Sequence, residues 1–105
     1  MLYNMVYMES LAVLADPTRR HIVETLARGP RSSGEIACLF AITAPAVSQH
    51  LKRLQHAGLV RVRAEAQRRI YELDKDGVDE LAQWVTGLQQ FWAGRFDALE
   101  TSLGS

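Results

Sequence analysis

Ser48, Gln49, His50, Lys52 and Arg53 fall within six consecutive positions of the segment TAPAVSQHLKRLQHAGLV, residues 43–60. Their chemistry suits nucleic acid. A Gln amide can bond adenine through both of its groups, Ser can donate or accept, and Lys or Arg can take guanine edges or phosphate oxygens. The same segment carries Val47, Leu51 and Leu54 at i, i+4 and i+7. On a helix this narrow apolar stripe must face a core, which turns Gln49, His50, Lys52, Arg53 and His56 toward the flanks and the solvent. Thr43 has the chemistry of a helix cap, Ala44 and Pro45 fit the first turn, and Gly58 fits the end. The N–H groups left open at such a start also bind phosphate. The exposed face therefore suits insertion into a DNA major groove.

Other elements must hold that helix in place. Met5, Met8, Leu11, Ala12 and Leu14 recur at helical spacing and predict an N-terminal helix over about 4–15, ending at Ala15-Asp16-Pro17. Asp16 can cap a second helix with Pro17 in its first turn, Ile22, Val23, Leu26 and Ala27 on one face, and Gly29-Pro30 at its end. A short third helix starts at Ser32 or Ser33, with Glu35 in its first turn and Ile36, Leu39 and Phe40 turned inward. Followed by the helix from Thr43, it makes a helix-turn-helix. Beyond Gly58 the period changes to two. LVRVRA and RRIYEL, separated by EAQ, read as a β-hairpin with a polar, basic tip. A helix-turn-helix followed by such a hairpin is a winged helix. Helical spacing resumes with Val78, Leu81, Trp84, Val85, Leu88, Phe91, Trp92, Phe96 and Leu99, predicting a last helix over about 77–101. The expected fold is mainly α with a small β-hairpin, in the order α-α-α-α-β-β-α, as one winged helix-turn-helix domain over residues 1–105.

Composition supports an ordinary globular chain, with 48% apolar and 23% charged residues over 105 positions. A chain this short leaves much of its surface exposed, so a partner subunit would help it. The last helix carries more aromatic surface than so small a domain can cover. Met5, Met8 and Leu11 of the first helix, with Trp84, Leu88, Phe91, Trp92 and Phe96 of the last, are therefore expected at a dimer interface. The alternative is that the last helix folds back on its own domain. Net charge is zero, yet residues 43–73 carry Lys52, Arg53, Arg61, Arg63, Arg68 and Arg69 against only Glu65 and Glu72. That basic stretch points to a polyanionic partner, in preference to a merely solvated face. No apolar run is long enough to cross a bilayer and the first residues lack a basic start, so the expected location is the cytoplasm, with no membrane partner. Cys38 is the only cysteine, which excludes an internal disulfide and fits a reducing compartment.

LADPTRRHIVETL, SGEIACLF, APAVSQHLKRLQHAGLVRVR and RRIYELD together resemble the ArsR (arsenical resistance repressor) family of bacterial winged-helix regulators, over residues 10–74. The resemblance implies a homodimer built on the first and last helices, binding an inverted-repeat operator on double-stranded DNA. It also implies repression until a signal, here unidentified, releases the DNA. By position, the family's groove-facing residues fall on Thr43, Ala44, Ser48, Gln49 and His50, and its wing contacts on Arg63, Gln67, Arg68 and Arg69.

The departures from that family bear on cofactors. Where many members hold metal with a Cys-x-Cys pair, this chain has Ser32 and Gly34, and its last helix contains no histidine. Carboxylates alone suit zinc poorly, so no metal and no other cofactor is expected. Cys38 is expected as a small buried residue in preference to a redox sensor. His50 and His56 are expected at the surface or facing DNA, and His21 on the flank of the second helix. No glycine-rich phosphate loop, nucleophile elbow or Ser-His-Asp set appears, so no enzyme activity is expected. Two alternatives stand beside the DNA-binding repressor: a metal- or redox-responsive sensor of the same family, and a winged-helix module that binds another protein. The basic wing and the Ser-Gln-His face weigh against the module, since protein docking needs neither.

Overall fold

The computed structural model describes residues 9–103, with side-chain surroundings as far as Arg95. Met5, Met8 and the side chain of Phe96, expected at the subunit interface, lie outside the described residues, as does the expected N-terminal helix before residue 9. Residues 9–13 are helical (α1), and a turn over 14–16 leads into α2, Pro17–Ala27. There follow β1 (Arg31–Ser32), α3 (Ser33–Phe40), α4 (Ala44–His56), β2 (Val60–Glu65), β3 (Arg68–Leu73) and α5 (Lys75–Leu103).

Helices α2, α3 and α4 each start on a side-chain cap. Asp16 accepts from the Arg19 backbone N–H at 2.9 Å to start α2. Ser32 and Glu35 bond each other's backbone N–H groups in a reciprocal cap on α3, and Thr43 Oγ1 accepts from the Ala46 N–H at 3.3 Å on α4. Such caps satisfy N–H groups that a helix cannot pair internally, and each stabilises by about 0.5–2 kcal/mol. The core collects Ile22 and Leu26 from α2, Ile36 from α3, Val47, Leu51 and Leu54 from α4, and Leu59, Val60 and Tyr71 from the segment beyond. Burying each large aliphatic side chain contributes roughly 1.5–3 kcal/mol. The stripe of Val47, Leu51 and Leu54 thus decides which face of α4 is turned inward.

Three sequence expectations need correction. First, the sheet has three antiparallel strands in the order β1-β3-β2, because Arg31 pairs with Tyr71 and Ser32 with Ile70. A two-residue strand has no period of its own, so only its partner reveals it. Second, Leu39 and Cys38 do not point inward: Leu39 is 61% exposed and Cys38 is exposed. Helix α3 has eight residues and meets the core through Ile36, Ala37 and Phe40. Positions 38 and 39 fall outside that arc at about 100° per residue. Third, α5 begins at Lys75, two residues early, because Asp74 Oδ1 accepts from the Asp76 N–H at 3.1 Å and caps it.

The hairpin pairs Val60 with Leu73 through Glu65 with Arg68, and turns at Ala66-Gln67. Ala66 has φ 57° and Ala41, which ends α3, has φ 52°. Both are left-handed, a conformation that costs a residue with a Cβ about 1–2 kcal/mol. Gly77, in the first turn of α5, lies so close to Gly58 that a methyl group there would overlap the Gly58 carbonyl oxygen. That approach docks the start of α5 onto the end of α4. Leu81 still packs on the core, but beyond it Trp84, Val85, Leu88, Phe91 and Trp92 are exposed. With 29 residues α5 runs about 43 Å. The radius of gyration, 17.8 Å, exceeds the roughly 13 Å of a compact chain this long. Within one subunit, then, the long helix does not fold back over its own core.

Candidate nucleic-acid interface

The outer face of α4 is built by exclusion. With Val47, Leu51 and Leu54 committed to the core, Ser48, Gln49, Lys52, Arg53 and His56 are exposed, and Thr43 and Ala44 are exposed at the helix start. Lys52 and Arg53 have no ion-pair partner among the described residues, which leaves both charges available to an incoming anion.

The wing is less cationic than its sequence. Arg61 Nε contacts Glu72 Oε1 at 2.9 Å, Arg63 contacts Glu65 at 2.8 Å and Glu72 at 3.8 Å, and Arg68 contacts Glu35 of α3 at 2.9 Å. Sequence reasoning set Glu65 and Glu72 against this stretch, but had no means to see that Glu35 pairs with it as well. Register separates the neighbours further. Arg61, Arg63 and Arg68 share the sheet face that carries Glu72 and Glu65, whereas Arg69 lies opposite Ala64 on the other face. Arg69 has no ion pair among the described residues, and Gln67 is exposed at the hairpin tip.

Glu35 joins two parts of the site. Its carboxyl is held below the usual range, first by the Ser32 backbone N–H, then by the Ser32 hydroxyl, with Arg68 adding a smaller pull. The same carboxylate thus caps α3 and ties it to the wing at Arg68, beside the hairpin turn.

His50 is the one residue of the expected reading set that the structure turns partly away from solvent. Its Nδ1 lies 3.4 Å from Arg19 Nη1 and 4.0 Å from Asp16 Oδ2. Arg19 also donates through Nε to the Val13 carbonyl at 2.7 Å, at the end of α1. Asp16 titrates low, chiefly because it accepts the Arg19 backbone N–H. No sequence signal linked positions 19 and 50, since contacts across 31 residues leave no local pattern.

His21 and His56 are exposed, and His56 lines a shallow surface pocket with Arg19 and Arg53. Cys38 and Leu39 line an open groove with Arg31, Ser32, Gly34 and Glu35. Among the described residues no group of three or more His, Cys, Asp or Glu side chains converges as a metal site would require. No helix among them is long and apolar enough to cross a membrane.

This arrangement has close parallels in known proteins. Residues 16–62 match the family described as bacterial regulatory protein, arsR family. Over 79 residues the chain is 52% identical to the HTH-type transcriptional regulator Rv2034 of Mycobacterium tuberculosis, spanning 75% of this chain and 71% of that protein. Over 72 residues it is 32% identical to the transcriptional repressor SdpR of Bacillus subtilis, spanning 69% of this chain and 80% of that one. Its fold superimposes with a TM-score of 0.67 and 26% identity on a homodimeric winged helix-turn-helix DNA-binding domain from Mycobacterium bovis, over 81% of this chain and 80% of that one. The chain belongs to the arsR family of bacterial regulatory proteins, and is a winged helix-turn-helix transcriptional regulator and not an enzyme.

Proposed function

We propose that the chain is a cytoplasmic, homodimeric repressor that binds an inverted-repeat operator on double-stranded DNA by placing α4 of each subunit in successive major grooves, without a resident metal. The observation that carries this reading is the outer face of α4, where Ser48, Gln49, Lys52 and Arg53 are exposed while the opposite face is committed to the core. Thr43, Ala44, Ser48 and Gln49 lie along the groove, Lys52 and Arg53 take phosphates or guanine edges, and Arg63, Gln67, Arg68 and Arg69 of the wing meet the adjoining backbone. The exposed apolar face of α5 supports the dimer, as does likeness to a homodimeric domain. The name of the Bacillus subtilis relative supports repression. Metal independence is supported by donor chemistry: the Ser32 hydroxyl is engaged in the α3 cap and Gly34 has no side chain to offer.

Selection of duplexes from a random pool tests the reading directly. Enriched sequences should hold two inverted half-sites one helical turn apart, about 34–36 Å. Gln49→Ala should weaken binding to them by about 1–3 kcal/mol and relax the preference at one position of each half-site. A pool that stays random after repeated rounds refutes DNA reading. Chelator treatment should leave affinity unchanged, and stoichiometric zinc binding that alters affinity refutes the metal-free part.

A further inference from the structure

His50 lies in the middle of the reading helix, yet its contacts point backward into the protein. A guanidinium can only donate, so the 3.4 Å contact between Arg19 Nη1 and His50 Nδ1 is a hydrogen bond in the tautomer whose Nδ1 accepts and whose proton is on Nε2. Arg19 makes two connections with one rigid fork: Nε to the Val13 carbonyl at 2.7 Å and Nη1 to His50. Its own backbone N–H is taken by Asp16, the cap of α2. A second tie runs from Ser10 Oγ to the Ala57 carbonyl at 3.3 Å, at the other end of α4. The α1–α2 elbow therefore grips α4 at its middle and at its end, and the His50 grip passes through a single side chain.

We infer that His50 is a positioning residue and not a base-reading one: through Nδ1 it accepts from Arg19 and sets the angle of α4 against the α1–α2 elbow. Groove contacts then fall to Ser48, Gln49 and Lys52, whose side chains are exposed. The inference rests on the DNA-binding reading above. Its physical basis is geometric, since a small rotation of α4 displaces every side chain along the groove together, and a planar, two-armed donor such as Arg19 resists rotation better than a flexible ammonium would.

Two substitutions separate the roles of the two ring nitrogens. In His50→Asn the amide oxygen can occupy the place of Nδ1, so Arg19 keeps its acceptor. In His50→Gln the polar group reaches the place of Nε2 instead. Asn and His have similar helix propensities, so His50→Asn carries no backbone penalty that could mimic a lost contact. On the selected operator His50→Asn should bind as the wild type does, while His50→Gln should bind about tenfold more weakly, the worth of one charge-assisted hydrogen bond. Arg19→Gln should weaken binding too, and the double variant Arg19→Gln/His50→Gln should lose no more than Arg19→Gln alone, because the Arg19–His50 contact is already gone in that single variant. Wild-type affinity in His50→Gln, or losses at Arg19 and His50 that simply add, overturns the inference. Failure of the wild-type protein to select any operator would sink the DNA-binding reading instead, so the two failures are distinguishable. Urea midpoints for each variant keep a folding defect from passing as a binding one.

Discussion

Trp92→Asp tests the proposed α5 interface with a magnitude that the structure supplies. Trp92 is 48% exposed, Phe91 58%, Leu88 43%, Val85 38% and Trp84 37%. With aromatic side chains covering about 150–250 Å² each, these five leave roughly 400–450 Å² open on one subunit. Facing a second copy, twice that area would be removed from water, a gross stabilisation of about 20 kcal/mol at ~25 cal/mol per Å². Association itself costs an estimated 4–15 kcal/mol, so the remainder is ample for a stable dimer but not unlimited. Trp92 accounts for about a quarter of the area. Losing it from both subunits removes about 5 kcal/mol, before any cost of bringing two carboxylates out of water. At 1.4 kcal/mol per tenfold change, the dimer dissociation constant should rise at least a thousandfold. Sedimentation equilibrium at micromolar concentration should find wild type dimeric and the variant monomeric, and operator affinity should fall with it. Residue 92 lies beyond the part of α5 that packs on the core, so circular dichroism should show the helix-turn-helix intact. A variant that sediments as a dimer, or a wild type that sediments as a monomer, refutes the reasoning.

Three further outcomes follow from local geometry. Arg69→Ala, removing a wing cation that has no ion pair among the described residues, should flatten the slope of log affinity against log salt by about 0.9. Arg68→Ala should change it less, because Arg68 must first leave Glu35; equal changes, read from titrations at several salt concentrations, would mean that the ion pair does not matter. Gly77→Ala forces a methyl group against the Gly58 carbonyl and should destabilise the fold by about 1–3 kcal/mol, seen as a lower urea midpoint with unchanged slope. Glu35 titrates below its ordinary value of 4.5, so its contribution to stability is present above that pH and fades as pH falls through the lower, folded-state value. Glu35→Gln should therefore lose less stability than wild type on acidification, and parallel acid unfolding curves would contradict the assignment.

The sequence was sufficient wherever a local rule had a single solution. Asp16-Pro17, Ser32 with Glu35, and Thr43 with Pro45 announce helix starts because only a few side chains can satisfy an open N–H at that spacing. Val47, Leu51 and Leu54 fixed which face of α4 is outward, since an apolar stripe this narrow leaves one rotation that buries it. The hairpin and the long aromatic face of the last helix were legible for the same reason. Tertiary structure decided what no local period carries. In the run IACLF every side chain is apolar, and only the direction of approach of α4 and the sheet determines that Cys38 and Leu39 stay outside. The strand at Arg31–Ser32 exists because β3 offers it a partner. Arg68 and Arg69 look equivalent in sequence, but strand pleating sends them to opposite faces, and only the fold brings Glu35 to Arg68. His50 carries the same lesson at the site itself: its neighbours on α4 suggested a reader of bases, whereas Arg19 and Asp16, distant in sequence, gave its ring a partner inside the protein.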